Sequence, residues 1–115
     1  MRLADGKNAW LTRIQPAPGP HQRKGLTAAV TAMPGVVFAG SWDGVMHALS
    51  TADGHTLWEF NTAQEFKTVN GVSAKGGSLD APGPIVVGGI IYVGSGYAGV
   101  NNGMPGNVLL AFSTE

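Results

Sequence analysis

The chain has 115 residues, no cysteine, and seven basic against seven acidic residues, so its formal net charge is zero. A neutral chain without a basic cluster lacks the electrostatic field that attracts nucleic acid or an anionic membrane surface, and a chain without cysteine forms no disulfide and no thiolate nucleophile. Hydrophobic residues make up 43%, and the 18 glycines and 7 prolines favour many short strands and turns over long helices.

The first predicted element is a turn followed by a strand. Asp5-Gly6 is a turn signal, and residues 7–14, which include Trp10, predict a strand. The opening residues lack the apolar core of a signal peptide, and no run of about 18 apolar residues predicts a membrane span.

Residues 26–61 predict four strands joined by short turns. The segment VVFAG at 36–40 is β-branched and aromatic and is bounded by glycine, and TLWEF at 56–60 alternates apolar with polar residues. Asp53-Gly54 suits the turn before the last strand. The four strands are predicted at about 26–33, 36–40, 44–50 and 55–61.

A long loop, 62–80, separates these strands from three more, at about 81–87, 90–95 and 107–113. The segment IIYVG at 90–94 is again β-branched, aromatic and bounded by glycine. No window carries an apolar stripe with helical spacing, so the sequence predicts an all-β fold.

The strand groups repeat one another. Residues 35–41 match 89–95 at an offset of 54 (89 − 35), residues 48–50 match 111–113 at 63 (111 − 48), and residues 4–10 match 52–58 at 48 (52 − 4). The difference between the first two offsets places an insertion of nine residues (63 − 54) in the loop 96–106. Repeats of about 50 residues with four short strands each are typical of a β-propeller.

This pattern predicts a partial β-propeller over residues 1–115. Residues 26–61 would form one complete four-stranded blade, 7–14 the outer strand of the preceding blade, and 81–113 three strands of an incomplete following blade. An open arc of this kind exposes apolar faces and strand edges. We therefore expect the isolated chain to oligomerise or aggregate.

The segment ALSTADGHTLW at 48–58 resembles the tryptophan-docking motif Ala-x-Asp-x-x-Thr-Gly-Lys-x-x-Trp. This motif is found in the PQQ-dependent (quinoprotein) alcohol dehydrogenases. The segment keeps Ala48, Gly54 and Trp58 but has Ser50, Asp53 and His55 where the motif has Asp, Thr and Lys. The copy at 2–10 keeps Gly6, Lys7 and Trp10, and the residues predicted to be structural are Trp10, Gly54 and Trp58. The run FKTVNGVSAKGGSLDAPGPIVVGGIIYVGSGYAG, together with GMPGNVLLAFS, resembles the C-terminal end of the polyvinyl-alcohol-dehydrogenase-like branch.

The resemblance implies an eight-bladed parent that binds pyrroloquinoline quinone (PQQ) and a divalent cation, usually calcium. It also implies oxidation of an alcohol, electron transfer to a cytochrome c and a periplasmic location. The cofactor of such a parent lies on the axis that all blades build together, so the fragment alone is expected to be inactive. The alternative is a cofactor-free propeller that acts as a binding or assembly scaffold, because the docking motif also occurs in propellers of that kind.

The predicted strand order places the long loops 12–25, 62–80 and 96–106 on one face. In loop 62–80 the candidate cofactor-binding residues are Asn70, Lys75 and Ser78, followed by Asp80 as a weak catalytic candidate. Asp80 would ligate a hard cation or orient a substrate hydroxyl, or else cap the turn before Pro82. Lys75 would bind a PQQ carboxylate or quinone oxygen as a point charge, or else be a solvated loop residue. The KGGS segment at 75–78 could offer backbone N–H groups to an anion, although no helix follows it.

Other candidates lie outside that loop. Trp42 would stack on a planar cofactor ring, or else pack between blades. Tyr97 and Asn101 in the insertion would line a substrate entrance. No metal ligands can be assigned, because the three histidines, His21, His47 and His55, are scattered along the chain.

Overall fold

The computed structural model of the protein describes residues 1–16, 18, 25–98 and 102–114. Every regular element in these residues is a strand and none is a helix, which confirms the predicted all-β class. The strands are β1 (Thr27–Ala28), β2 (Thr31–Met33), β3 (Val36–Gly40), β4 (Val45–Ser50), β5 (Thr56–Asn61), β6 (Glu65–Lys67), β7 (Ser73–Lys75), β8 (Asp80–Ala81), β9 (Ile85–Val87), β10 (Ile90–Ser95) and β11 (Val108–Phe112).

The first sheet is an antiparallel meander of four strands in chain order, β2-β3-β4-β5. Its central strands carry the β-branched and apolar residues that suit a pleated, buried surface. The turn from β4 to β5 depends on Gly54, whose φ of 76° is left-handed and is adopted by glycine without steric cost. The Gly54 N–H donates to the Ser50 carbonyl at 2.9 Å and closes this turn.

The second sheet is an antiparallel meander of three strands, ordered β9-β10-β11. Its register repeats that of the first sheet pair by pair. Phe38 faces Ala48 in the first sheet, and Tyr92 faces Ala111 in the second, at the offsets of 54 (92 − 38) and 63 (111 − 48) found in the sequence. The inserted residues therefore fall in the loop between β10 and β11 and leave the pairing unchanged.

The core lies between the two sheets. Phe38, Met46 and Ala48 of the first sheet are buried against Val93 of the second and against Leu79, which precedes β8. Met46 is 1% exposed, and full burial of such a side chain stabilises the fold by about 1.5–3 kcal/mol. An aromatic group continues this contact outward: the rings of Trp58 and Phe60 each lie 5.1 Å from the Phe112 ring, edge to face.

The opposite face of the second sheet is apolar and exposed. Ile85 is 62% exposed, Val87 61%, Tyr92 36% and Leu109 70%. The positions equivalent to Tyr92 and Leu109 in the first sheet are Phe38 (92 − 54) and Met46 (109 − 63), both buried. The second sheet thus presents the face that the first sheet buries.

A short parallel pairing joins the inner ends of the two sheets. Thr27 pairs with Asp80 and Ala28 with Ala81, and the Ala29 N–H donates to the Ala81 carbonyl at 3.1 Å. The sequence predicted continuous inner strands over 26–33 and 81–87. Instead, β1 and β8 form a separate two-stranded parallel sheet, and the two antiparallel meanders begin later, at β2 and β9.

Two further segments differ from the predictions. Residues 7–14 contain no strand, because no strand of the described residues runs beside them. The loop 62–80 contains a hairpin in which β6 pairs with β7. The division into one complete blade, one preceding strand and three following strands stays a prediction.

Candidate functional site

Three segments that are far apart in sequence meet beside the sheets and form a loop cluster, which we define as residues 41–44, 76–80 and 102–107. Backbone bonds hold it together: the Leu79 N–H donates to the Ser41 carbonyl at 3.1 Å, and the Ser78 N–H to the Met104 carbonyl at 2.9 Å. Two of the loops expected on one face, 62–80 and 96–106, are therefore in contact, together with the turn between β3 and β4.

Ser78 lies at the centre of the loop cluster and is 0% exposed. Its hydroxyl donates to the Trp42 carbonyl at 2.5 Å and accepts the Met104 N–H at 2.8 Å. The side chain thereby links all three segments. A serine with both roles filled and no accessible surface has little capacity left for a ligand.

The amides of the KGGS segment have protein acceptors. Gly76 N–H donates to the Gln64 carbonyl at 2.9 Å, and Gly77 N–H to the Ser95 hydroxyl at 2.9 Å. With the Ser78 N–H also paired, these amides are not oriented toward an anion, so the anion-binding interpretation is not supported. The glycines serve close packing instead: a Cβ on Gly76 would lie 1.7 Å from the Thr62 carbonyl oxygen.

Thr62 and Ser95 form a buried hydroxyl pair that the sequence analysis did not single out. Thr62 is 0% exposed and Ser95 4%, and their hydroxyl oxygens lie 2.7 Å apart. Thr62 also donates to the Gly44 carbonyl at 2.7 Å. A signal was present, since Gly94-Ser95 repeats Gly40-Ser41 at the same offset, and both serines anchor the end of a strand.

Trp42 and Asp43 occupy the turn between β3 and β4 and are both 6% exposed. Asp43 accepts the Ser41 hydroxyl and the Val45 N–H, the latter at 3.2 Å, as aspartate does in hairpin turns. The backbone N–H of Trp42 donates to the Gly25 carbonyl at 3.0 Å. An indole this enclosed packs inside the loop cluster and shows little of its face to a ligand.

Asp80 is 2% exposed and belongs to β8. Its Oδ1 accepts the N–H of Ala81 at 2.9 Å, a contact of the kind that the turn interpretation predicts. Ala81 has φ 56°, a left-handed conformation that costs a residue with a Cβ about 1–2 kcal/mol. The carboxylate is therefore held beside a strained residue at the junction of the two sheets.

Lys75 lies at the end of β7 and is exposed. Its N–H bonds the Asn107 Oδ1 at 2.9 Å, and its carbonyl accepts the Asn107 N–H at 2.8 Å. Lys75 and Asn107 line an open depression of about 650 Å³ together with β6, which contributes Lys67. Asn107, which fixes the backbone beneath the Lys75 side chain, was not among the residues predicted from the sequence.

The remaining candidates lie apart from this centre. Asn70 is in the exposed turn of the β6–β7 hairpin, where its Oδ1 accepts the Thr68 hydroxyl and the Val72 N–H, the latter at 3.2 Å. Tyr97 is 57% exposed at the start of the insertion. Asn101 lies outside the described residues. The structure therefore brings Trp42, Ser78 and Lys75 into neighbouring segments and leaves Asn70 at a distance along the hairpin.

Of the tryptophan-docking residues, Gly54 lies in the β4–β5 turn, Trp58 lies on β5, and Trp10 docks against that turn. Trp10 Nε1 donates to the Thr51 carbonyl at 2.9 Å, and the Thr12 hydroxyl donates to the Gly54 carbonyl at 2.5 Å. Gly54 allows this contact, since an added Cβ would lie 2.4 Å from the Trp10 ring. In the same turn, a hydrogen bond from the His55 side chain lowers the pKa of the Asp53 carboxyl.

Within the described residues, no three His, Cys, Asp or Glu side chains are arranged to hold a metal ion. His47 is buried on β4, and its Nδ1 lies 2.8 Å from Glu59 Oε1. This pair has no third ligand among those residues. No helix in the same residues is long and apolar enough to cross a membrane.

No protein-family model matches the chain. Among curated proteins, the chain is 48% identical over 130 aligned positions to a polyvinylalcohol dehydrogenase of a Pseudomonas species, an alignment that covers 100% of the chain and 20% of that protein. It is 41% identical over 99 positions to a polyvinylalcohol dehydrogenase of a Sphingopyxis species, covering 78% of the chain and 15% of that protein. The chain thus spans one fifth or less of the length of these relatives.

Proposed function

The chain is related along its whole length to part of the polyvinylalcohol dehydrogenases, as its sequence motifs predicted, and from this premise we propose that it is a C-terminal segment of the β-propeller of a quinoprotein dehydrogenase. The parent protein would oxidise the secondary alcohol groups of polyvinyl alcohol. It would use PQQ and calcium, pass electrons to a cytochrome c, and work in the periplasm. The segment alone would be inactive.

The observation that carries this proposal is the repeated register of the two sheets. Two antiparallel meanders with equivalent cross-strand pairs, packed face to face around Met46 and Val93, are the arrangement expected of neighbouring propeller blades. The exposed apolar face of the second sheet would be covered by further blades of the parent. This fits a chain that spans 20% of its relative.

The residues fit the cofactor only in part. Ser78 and Trp42 are enclosed within the loop cluster, so their contribution would be to hold the neighbouring segments in place. Lys75 has an exposed side chain on a backbone fixed by Asn107, and its ammonium would pair with a carboxylate of PQQ. PQQ would supply the oxidising quinone, while this segment would supply one positive charge and a rigid loop cluster.

The experiment is a comparison of Lys75→Ala with Lys67→Ala in the full-length parent protein loaded with PQQ and calcium. Both lysines line the same depression. Each variant removes one positive charge from it, so the two variants are matched in charge and in location. We expect Lys75→Ala to weaken PQQ binding about tenfold or more, because a hydrogen bond to a charged group is lost, and Lys67→Ala to leave it near the wild-type value. Equilibrium dialysis measures binding, and dye-linked oxidation of polyvinyl alcohol measures activity.

A cofactor-free scaffold is the second candidate, favoured by the enclosure of Ser78 and Trp42. A scaffold would give no dye reduction with PQQ and calcium in the full-length protein. It would also show no difference between the two lysine variants. The role proposed for Lys75 would be contradicted if both variants lost PQQ binding. It would also be contradicted if neither variant did.

A further inference from the structure

The connection between β10 and β11 differs from the corresponding turn of the first sheet. In the first sheet β3 and β4 are joined by the short turn 41–44, which ends at Gly44. In the second sheet the connection is longer by the nine inserted residues (63 − 54), and Asn107 stands at the position equivalent to Gly44 (44 + 63). Because the first sheet forms with glycine there, the repeat itself does not require a polar side chain at this position.

Asn107 forms two hydrogen bonds with a single residue of the β6–β7 hairpin. Its Oδ1 accepts the backbone N–H of Lys75 at 2.9 Å, and its own backbone N–H donates to the Lys75 carbonyl at 2.8 Å. Both backbone groups of Lys75 are therefore bonded to one residue that is 32 positions away in sequence. This pair of bonds fixes the direction in which the Lys75 side chain leaves the backbone.

Close packing holds the two segments against each other. A Cβ on Gly106 would lie 2.5 Å from the Lys75 carbonyl oxygen, and one on Gly77 would lie 2.1 Å from the Met104 carbonyl oxygen. Real Cβ atoms do not approach oxygen so closely, so the backbones are in direct contact at both glycines. The hairpin end that carries Lys75 has little freedom to shift relative to β11.

The Lys75 side chain, in contrast, is exposed. Within the residues that the structure describes, its ammonium takes part in no ion pair. The lysine stem is flexible, and ordering such a side chain on binding has an entropic cost. A fixed backbone limits the volume that the ammonium can reach, and so reduces that cost for an anion bound in the depression that Lys75 and Asn107 line.

We propose that Asn107 is a positioning residue for the positive charge of Lys75. Asn107 holds the Lys75 backbone so that the ammonium is presented to a carboxylate of PQQ, and it acts through Lys75 without contacting the cofactor. The inference rests on the proposed function, since the cofactor contact of Lys75 belongs to it. It also gives the insertion a role, because the inserted loop leads directly into Asn107.

A double-mutant cycle in the full-length parent protein tests the proposal, with PQQ binding measured by equilibrium dialysis. We expect Asn107→Ala to weaken PQQ binding about threefold or more, because one hydrogen bond to the Lys75 backbone is lost. The variant with both Asn107→Ala and Lys75→Ala should bind PQQ as Lys75→Ala alone does, because no charge is left to position. Residues that act through one another are non-additive in this way.

The matched control is Asn61→Ala. Asn61 Oδ1 accepts the backbone N–H of Ala63 at 2.9 Å, so the control removes a bond of the same kind and length elsewhere, and PQQ binding should stay near the wild-type value. Asn107→Gly is the second test variant, since it introduces the residue that the first sheet has at Gly44, and it should reproduce Asn107→Ala. Thermal melting followed by circular dichroism identifies the variants that are folded.

Activity gives a second readout that separates positioning from general damage. Dye-linked oxidation by Asn107→Ala should be low at limiting PQQ and should return close to the wild-type rate at saturating PQQ, because only the affinity for the cofactor is changed. A folded variant that remains slow at saturating PQQ would show that Asn107 has a role other than positioning Lys75.

Three results of the binding series would overturn the proposal while leaving the proposed function intact. These are a further loss when Asn107→Ala is added to Lys75→Ala, wild-type affinity in both Asn107 variants, and an equal loss in Asn61→Ala. A parent protein that binds no PQQ in its unsubstituted form would overturn the proposed function and this inference together.

Discussion

The two sheets have the same register but differ in what covers them. The first sheet has four strands and buries Phe38, Met46 and Ala48 against its neighbour. The second has three strands, and its equivalent face, which includes Tyr92 and Leu109, is exposed. Since the pairing is the same, the difference in burial comes from the neighbouring sheet and not from the strands themselves.

This difference means that equivalent residues have unequal effects on stability. A repeat fixes where a side chain points, whereas the presence of a neighbour fixes how much free energy its burial contributes. Paired substitutions at equivalent positions measure that contribution directly, because the local strand geometry is held constant. All variants should be compared at one protein concentration, since self-association changes apparent stability.

The largest difference is expected between Met46→Ala and Leu109→Ala, which are equivalent positions (109 − 46 = 63). Met46 is 1% exposed and Leu109 70%. Truncation of a buried methionine leaves a cavity and costs about 2–5 kcal/mol, whereas the exposed change should stay within about 0.5 kcal/mol. Urea unfolding followed by circular dichroism measures both, and equal losses would mean that the sheets do not pack as described.

The next difference is between Gly40→Ala and Gly94→Ala (94 − 40 = 54). A Cβ at Gly40 would lie 2.8 Å from the Leu79 Cβ, whereas one at Gly94 has nothing within 4 Å. Overpacking at Gly40 should cost about 1–3 kcal/mol. Gly94→Ala should be neutral or stabilise the chain by up to about 1 kcal/mol, because it restricts the unfolded chain. A loss at Gly94 as large as that at Gly40 would contradict the packing of Leu79 under β3.

The smallest difference concerns the two docking tryptophans, Trp10 and Trp58 (58 − 10 = 48). Trp10→Phe removes the bond to the Thr51 carbonyl and should cost about 1 kcal/mol. Trp58 is 36% exposed and is held by ring contacts with Phe60 and Phe112, so Trp58→Phe, which keeps a ring, should cost less. Circular dichroism is the suitable probe, since both substitutions alter tryptophan fluorescence.

Much of the fold was predictable from the sequence because the strand signals are local. Glycine-bounded runs of β-branched residues gave β3 and β10 their observed bounds, and the repeat offsets predicted the shared register. The β1–β8 pairing was not predictable, because Thr27 and Asp80 are remote in sequence and two-residue strands carry no alternation signal. The β6–β7 hairpin was missed because its three-residue strands are too short to show alternation.

The candidate site was harder to predict, because burial depends on partners that are remote in sequence. Trp42 and Ser78 were selected for their chemistry, yet their neighbours in the loop cluster enclose them. Asn107 was not selected, although it fixes the backbone of Lys75 across 32 residues of sequence. A loop's polar residues reveal capacity for hydrogen bonding, but whether the partner is protein or ligand is decided by tertiary contacts.

The parallel pairing of β1 with β8 has a consequence for the order of folding. Each meander forms between neighbouring strands, whereas Thr27 and Asp80 are 53 positions apart (80 − 27), and closing so long a loop has an entropic cost that must precede any gain. We expect this junction to form after the transition state. Ala28→Gly should then speed unfolding and leave the refolding rate nearly unchanged in stopped-flow experiments; a slower refolding rate would instead place the junction in the folding nucleus.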